Sequence, residues 1–118
     1  MRNISVALTI PQIKARTKRV TRRAGWDDVV VGELLQTCEK CQGLKPGQQL
    51  VKLEIIRITS IRREPLQRLI DDEAYGRAEA ALEGFPGMSG REFASLFTKA
   101  NQISFHKVIN RFEFEYVD

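Results

Sequence analysis

Val108-Ile109-Asn110-Arg111-Phe112-Glu113-Phe114-Glu115-Tyr116, near the end of the chain, decides the fold class. Val108, Asn110, Phe112, Phe114 and Tyr116 share one parity, while Arg111, Glu113 and Glu115 take the other. A period of two marks a strand with one face turned inward. At the other end, Ile4 to Thr9 is rich in β-branched residues and is also predicted to be a strand. Strands at both ends with helices between them predict an α+β fold, a curved sheet or small, partly open barrel with helical insertions.

The middle of the chain fills in this outline. Pro11 to Arg16 is predicted as a short helix, since proline suits a first helical turn. Thr17 to Arg23 reads as extended or looped, and Leu34 to Lys40 as a strand ended by a turn over Gly43 to Gly47. Leu50 to Arg62 is β-rich, with apolar residues at Val51, Leu53 and Ile55 and then, with changed parity, at Ile56 and Ile58. Such a change predicts a bulge, because a slip of one residue swaps the faces of a strand. A helical turn is predicted from Pro65, and a helix whose start carries Asp71-Asp72-Glu73, with Ala74, Ala78, Ala81 and Leu82 on its apolar side. Glu83-Gly84-Phe85-Pro86-Gly87 breaks that helix. Ser89 and Glu92 have the spacing of a capping box for the next, in which Phe93, Leu96, Phe97 and Ala100 form a stripe expected to face the core.

At 118 residues, 42% hydrophobic and 29% charged, the chain is expected to be one globular domain, residues 1–118, and global disorder is excluded. No apolar run approaches the roughly 18 residues of a membrane helix. Met1 to Ala7 lack the apolar stretch of a signal peptide, so a soluble cytoplasmic protein is expected. A chain of this size has little room for a large internal cofactor, and none is expected. The net charge of +4 conceals an asymmetry: residues 1–25 carry Arg2, Lys14, Arg16, Lys18, Arg19, Arg22 and Arg23 without an acid. That cluster either draws phosphate-bearing partners or is a solvated basic face.

Several chemistries are excluded or lack support. Cys38 and Cys41 make a single C-x-x-C pair, half of a zinc site, and His106 is the only histidine. The turn after Cys41 does not suit a thioredoxin-like motif, so two reduced thiols and no metal are expected. No G-x-S-x-G elbow, P-loop or dinucleotide-binding fingerprint occurs. Trp26, the one tryptophan, is either a core anchor or a stacking platform. What remains is the basic segment with Thr17, Lys18 and Thr21, plus the carboxylate of Glu83 before a glycine turn. A lysine crowded by Arg16, Arg19, Arg22 and Arg23 is expected to titrate low, poised to act as a general base for a threonine hydroxyl.

The sequence resembles the ASCH domains of the PUA-like superfamily, and most closely the small ASCH proteins of bacteria and phages. The resemblance rests on Ala7-Leu8-Thr9 with Pro11-Gln12-Ile13, Arg16-Thr17-Lys18-Arg19-Val20-Thr21-Arg22-Arg23 with Gly25-Trp26, Gly43-Leu44-Lys45-Pro46-Gly47, Arg62-Arg63-Glu64-Pro65-Leu66, Glu83-Gly84-Phe85-Pro86, Glu92-Phe93 and Arg111 to Asp118. It implies a partly open mixed β-barrel of five to six strands, with helices closing a cleft. One bacterial branch of the family is an amidohydrolase of N4-acetylcytidine with a K-x-x-T segment and a later glutamate. That pattern implies Lys18, Thr21 and Glu83 as the catalytic set, with Arg16, Arg19, Arg22, Arg23 and Trp26 around a modified nucleoside or RNA. The alternative is an RNA- or nucleotide-binding ASCH module, or an ASCH-type ribonuclease, using Lys14 to Arg23. Arg19 stands where the amidohydrolase branch tends to have an uncharged residue, and the paired Arg22 and Arg23 suit a phosphate-bearing ligand. Neither reading requires a protein partner, and the sequence does not fix an oligomeric state. On a regular strand Lys18 and Thr21 point to opposite faces, so their convergence requires a bend between them.

Overall fold

The computed structural model describes residues 1–118. Its chain order is β1 (Arg2–Ser5), α1 (Ile10–Lys14), β2 (Val20–Arg23), β3 (Leu34–Cys38), β4 (Lys52–Pro65), α2 (Gln67–Asp71), α3 (Glu73–Leu82), α4 (Gly90–Asn101) and β5 (Val108–Val117). The five strands form one sheet in the order β1-β3-β4-β5-β2, curled into a half-barrel, with β1 parallel to β3 and the other neighbours antiparallel. The expected α+β class and partly open barrel therefore hold at the level of a curled five-stranded sheet with four helices.

The long β4 carries the curl. Its first half pairs with β3 and most of its length with β5, and the ladder slips between Ile58 and Ser60. Two irregularities thus flank the predicted parity change at Ile55–Ile56: this one a few residues beyond it, and one just before it, where β4 takes three steps from Lys52 to Ile55 against two from Cys38 to Gln36 on β3. Ile56 and Ile58 share the inward parity before the slip, and Ile61 takes it over afterwards. Val51, expected on the apolar face, is exposed.

Inside the curl, Ile4, Leu35, Ile56, Ile58, Phe112 and Phe114 pack with Val6, Ile13 and Val29. Each such large side chain contributes about 1.5–3 kcal/mol when fully buried. A second cluster, including Leu66, Leu69, Phe93 and Ile109, joins the helices to the far side of β5. Both faces of β5 are therefore covered, and Arg111, assigned by parity to the outer side, is buried.

Several boundaries differ from expectation for local reasons. The first strand stops at Ser5, because Thr9 N–H turns back to the Val6 carbonyl and leads into α1. That helix ends at Lys14, and Arg16 takes a left-handed φ of 57°. Thr17 to Arg23 contains a true strand, β2, at the sheet edge. Pro65 closes β4 instead of opening a helix. In α3 the buried side is Gly76, Glu79 and Ala80, while Ala74 and Ala78 are exposed. Helix crossing explains the difference: a Cβ on Gly76 would overlap the Leu69 carbonyl oxygen and lie 2.9 Å from Gly90 Cα. Only glycines allow α2, α3 and α4 to meet this closely. The capping box at the start of α4 forms as expected, with Ser89 Oγ accepting from Glu92 N–H and Glu92 Oε1 from Ser89 N–H.

Candidate functional site

The half-barrel leaves β1 and β2 as free edges, and a cavity of about 410 Å³ opens beside both. Ser5 to Thr9 form one wall, Lys18 and Thr21 to Arg23 a second, and Glu83 with Phe85 a third. Phe93, Leu96, Phe97, Ala100 and Asn101 of α4 form the fourth. The apolar stripe expected to face the core thus divides its work: Phe93 is buried among the helices, while Leu96 and Phe97 are half-exposed along the cavity.

Lys18, Thr21 and Glu83 all line this cavity, and all three are buried. Lys18 Nζ donates to Glu83 Oε1 and to the Glu83 carbonyl oxygen, each at 3.1 Å. The chain reaches this position because Arg19 N–H bonds the Leu82 carbonyl at 2.7 Å, tying the start of β2 to the end of α3. Thr21 Oγ1 accepts from Arg23 Nε at 3.3 Å and Nη2 at 3.1 Å. Thr21 and Arg23 sit two residues apart on one side of β2 and Arg22 on the other, while Lys18 lies before the strand begins and feels the charges of both Arg23 and Arg22. The free edge lets the cavity take in both sides.

Behind Lys18 runs a buried ionic network. Arg22 donates from Nη1 to Glu83 Oε2 at 3.0 Å and from Nη2 to Glu79 Oε1 at 2.6 Å. Arg111 holds both oxygens of Glu79. The ladder explains the alignment, since Arg22 lies opposite Arg111 on β5 and Arg111 opposite Arg62 on β4. Three arginines abreast face α3, which answers with Glu79 and, one turn on, Glu83. Further along, Glu64 accepts from the Tyr75 hydroxyl at 2.8 and 2.9 Å. Neither Glu79 nor Arg111 was expected from sequence. The available signal was the four-residue spacing of Glu79 and Glu83, which puts both on one helix face.

Burial pushes the Lys18 ammonium below its ordinary value; Glu83 opposes this, and Arg23 and Arg22 add to it. The expected low titration thus has burial as its first cause. Arg16 and Arg19 take no part. Arg16 is bound to Glu54 at 3.0 Å and Asp118 at 2.7 Å, and both guanidinium groups lie 5.5 Å from the Tyr116 ring centroid. Burial also pushes the Arg23 guanidinium down. Glu79 is raised by burial, but the hydrogen bonds from Arg111 and Arg22 outweigh this and hold it below the usual carboxylate value. Buried Glu64, Glu79 and Glu83 thus answer buried Lys18, Arg22 and Arg111, with Arg62 and Arg68 also on Glu64 from the solvent side, while half-buried Arg23 has no carboxylate within salt-bridge distance.

Of the residues expected around a ligand, Arg22 and Arg23 line the cavity, whereas Arg16, Arg19 and Trp26 do not. Trp26 packs against the inner core with the Arg2 guanidinium 5.1 Å from its ring centroid, and aromatic surface in the cavity comes from Phe85, Phe93 and Phe97 instead. Cys38 is buried, Cys41 is half-buried and both are free; burial first, then Cys41, pushes the Cys38 thiol up to about 11. His106 is exposed and outside the cavity. No helix is long and apolar enough to cross a membrane.

No protein-family model matches the chain, and no curated protein matches it in sequence. Among solved structures it is similar to the hypothetical protein PH0355, with 14% identity over 98% of this chain and 96% of that one and a TM-score of 0.60. It is also similar to EF3133 from Enterococcus faecalis V583, described with family DUF984, with 18% identity over 92% of this chain and 69% of that one and a TM-score of 0.56. What these proteins share with the chain is the fold.

Proposed function

We propose that the chain is a small ASCH-type, PUA-like amidohydrolase that removes the acyl group from an N4-acylated cytosine nucleoside such as N4-acetylcytidine. One observation carries the reading: Lys18, Thr21 and Glu83 line the same cavity, with Lys18 hydrogen-bonded to Glu83 inside it. Neutral Lys18 takes the proton of Thr21 as Oγ1 attacks the acyl carbonyl carbon. The electron pair of the carbonyl moves onto its own oxygen, and the Arg23 guanidinium, held beside Oγ1 by its two hydrogen bonds, is the cation that offsets the charge. Collapse of the tetrahedral intermediate breaks the carbon–N4 bond, and the proton on Lys18, steadied by Glu83, passes to the departing amine. This leaves an ester on Thr21. Water then attacks the ester with Lys18 again as base, and the proton returns to Thr21 as the carboxylic acid departs.

The covalent step gives the test. Protein mixed with N4-acetylcytidine and quenched in acid should carry acetyl on the peptide containing Thr21, and Thr21→Ala should carry none. Acetyl elsewhere, or nowhere while cytidine accumulates, contradicts the nucleophile.

A second reading, binding of RNA or a nucleotide without chemistry, draws on Lys14 and Arg19, both exposed and without a carboxylate partner. In that case affinity should fall steeply with salt, through release of phosphate counterions.

A further inference from the structure

Arg23 is the cation in the cavity wall that no carboxylate answers. Lys18 and Arg22 share Glu83, and Arg22 has Glu79 as well, but Arg23 makes no salt bridge. Its Nε and Nη2 donate to Thr21 Oγ1, a neutral acceptor, and its Nη1 donates to no protein atom. That nitrogen is not shut away from solvent, and Arg23 lines the cavity, so it is open to an anion entering there. Around it the cavity is largely aromatic and aliphatic, with Phe85, Phe93, Leu96 and Phe97 among its lining.

We infer that Arg23 anchors an oxyanion in this cavity, and that the occupant is a small carboxylate with an apolar or aromatic body. A guanidinium fork matches a carboxylate in geometry and charge. One unanswered cation calls for a monoanion. A phosphate would need further donors, and the neighbouring Lys18 and Arg22 are already held by Glu83 and Glu79. A volume of about 410 Å³ lies within the usual range for small-molecule pockets. Burial pulls the Arg23 guanidinium down and the nearby Glu83 charge opposes this, although Glu83 is bonded to Lys18 and Arg22 and not to Arg23. Binding of this kind needs neither the Thr21 nucleophile nor the Lys18 base, so it stands or falls separately from the amidohydrolase reading.

The test is an NMR titration of the protein with benzoate, acetate and inorganic phosphate at fixed ionic strength, following the Arg23 Nε–H resonance. Benzoate should saturate it and bind more tightly than acetate or phosphate. Arg23→Gln should weaken benzoate at least about tenfold, the loss expected for charged hydrogen bonds. Phe97→Ala should weaken benzoate and leave acetate unchanged. Arg23→Lys, which keeps the charge but loses the fork, should fall between wild type and Arg23→Gln, and it carries the test if the glutamine variant does not fold. Absence of saturable benzoate binding, or equal affinity in the Arg23 variants, would overturn the inference. Tighter binding of phosphate would overturn the apolar part and assign the site to phosphate esters. Benzoate binding without deacylation would sustain the inference and count against the catalytic reading.

Discussion

Lys18 and Glu83 stand 65 residues apart in the chain, yet Nζ of one lies 3.1 Å from Oε1 of the other. Both side chains are almost wholly out of water. The pair joins the edge strand β2 to the end of α3, and Arg22 holds the second oxygen of Glu83. Glu83→Gln should therefore destabilise the fold by about 3–5 kcal/mol, since breaking a buried pair leaves its partners uncompensated. Lys18→Met combined with Glu83→Gln should cost less than the two single changes added together. Urea unfolding of the four proteins measures this, and strict additivity would contradict the coupling.

Glu79 gives a pH signature to the same network. Its carboxyl lies below its ordinary value of 4.5 because Arg111 and Arg22 outweigh the effect of burial. A group lowered in the folded state contributes stability above its unfolded value and loses it as pH falls through the folded one. Stability should thus decline on acidification below about pH 4.5. Glu79→Gln should lower stability at neutral pH and flatten part of that decline, read from unfolding midpoints across pH. An unchanged slope would contradict it.

Tyr116 acts at the alkaline end. Its hydroxyl donates to the Lys18 carbonyl at 2.7 Å, and burial pushes its pKa up to about 12 from 10.0. Here the sign reverses: the contribution is full below pH 10.0 and is lost as pH rises through about 12. Tyr116→Phe should cost about 0.5–1.5 kcal/mol at neutral pH, the ordinary net value of a hydrogen bond, and make alkaline unfolding less steep. The same unfolding series extended upward in pH checks both.

Gly90 sets how closely the helices meet. A Cβ there would overlap the Leu69 carbonyl oxygen and lie 2.6 Å from Gly76 Cα, both backbone atoms. Gly90→Ala should destabilise by about 1–3 kcal/mol or more through forced backbone shifts. Gly87→Ala, where an added Cβ meets nothing, should cost little. Equal melting temperatures for the two variants would contradict the close packing.

The strands were legible because parity is local. Phe112 and Phe114 on the inner face, the β-rich run through Ile56 and Ile58, and the capping box of Ser89 and Glu92 all follow from residues near one another in sequence. Arg111 was misread for the same reason: parity separates two faces but does not say that helices cover the second. On α3, Ala74 and Ala78 looked like the packing side by composition, while the glycine contact at Gly76 turned Glu79 inward. Glu83 and the basic segment were visible as residue types. Their meeting depends on the β2–α3 tie through Arg19 and Leu82, a long-range contact that no local pattern carries.

The most direct measurement is release of cytidine from N4-acetylcytidine by the purified protein, followed by chromatography, beside Lys18→Ala and Thr21→Ala. Wild type should release cytidine, Lys18→Ala should be slower by about 10²–10⁴-fold, the usual contribution of a general base, and Thr21→Ala should be at least as impaired. No release by wild type, or release by folded Thr21→Ala at the wild-type rate, would contradict catalysis in this cavity.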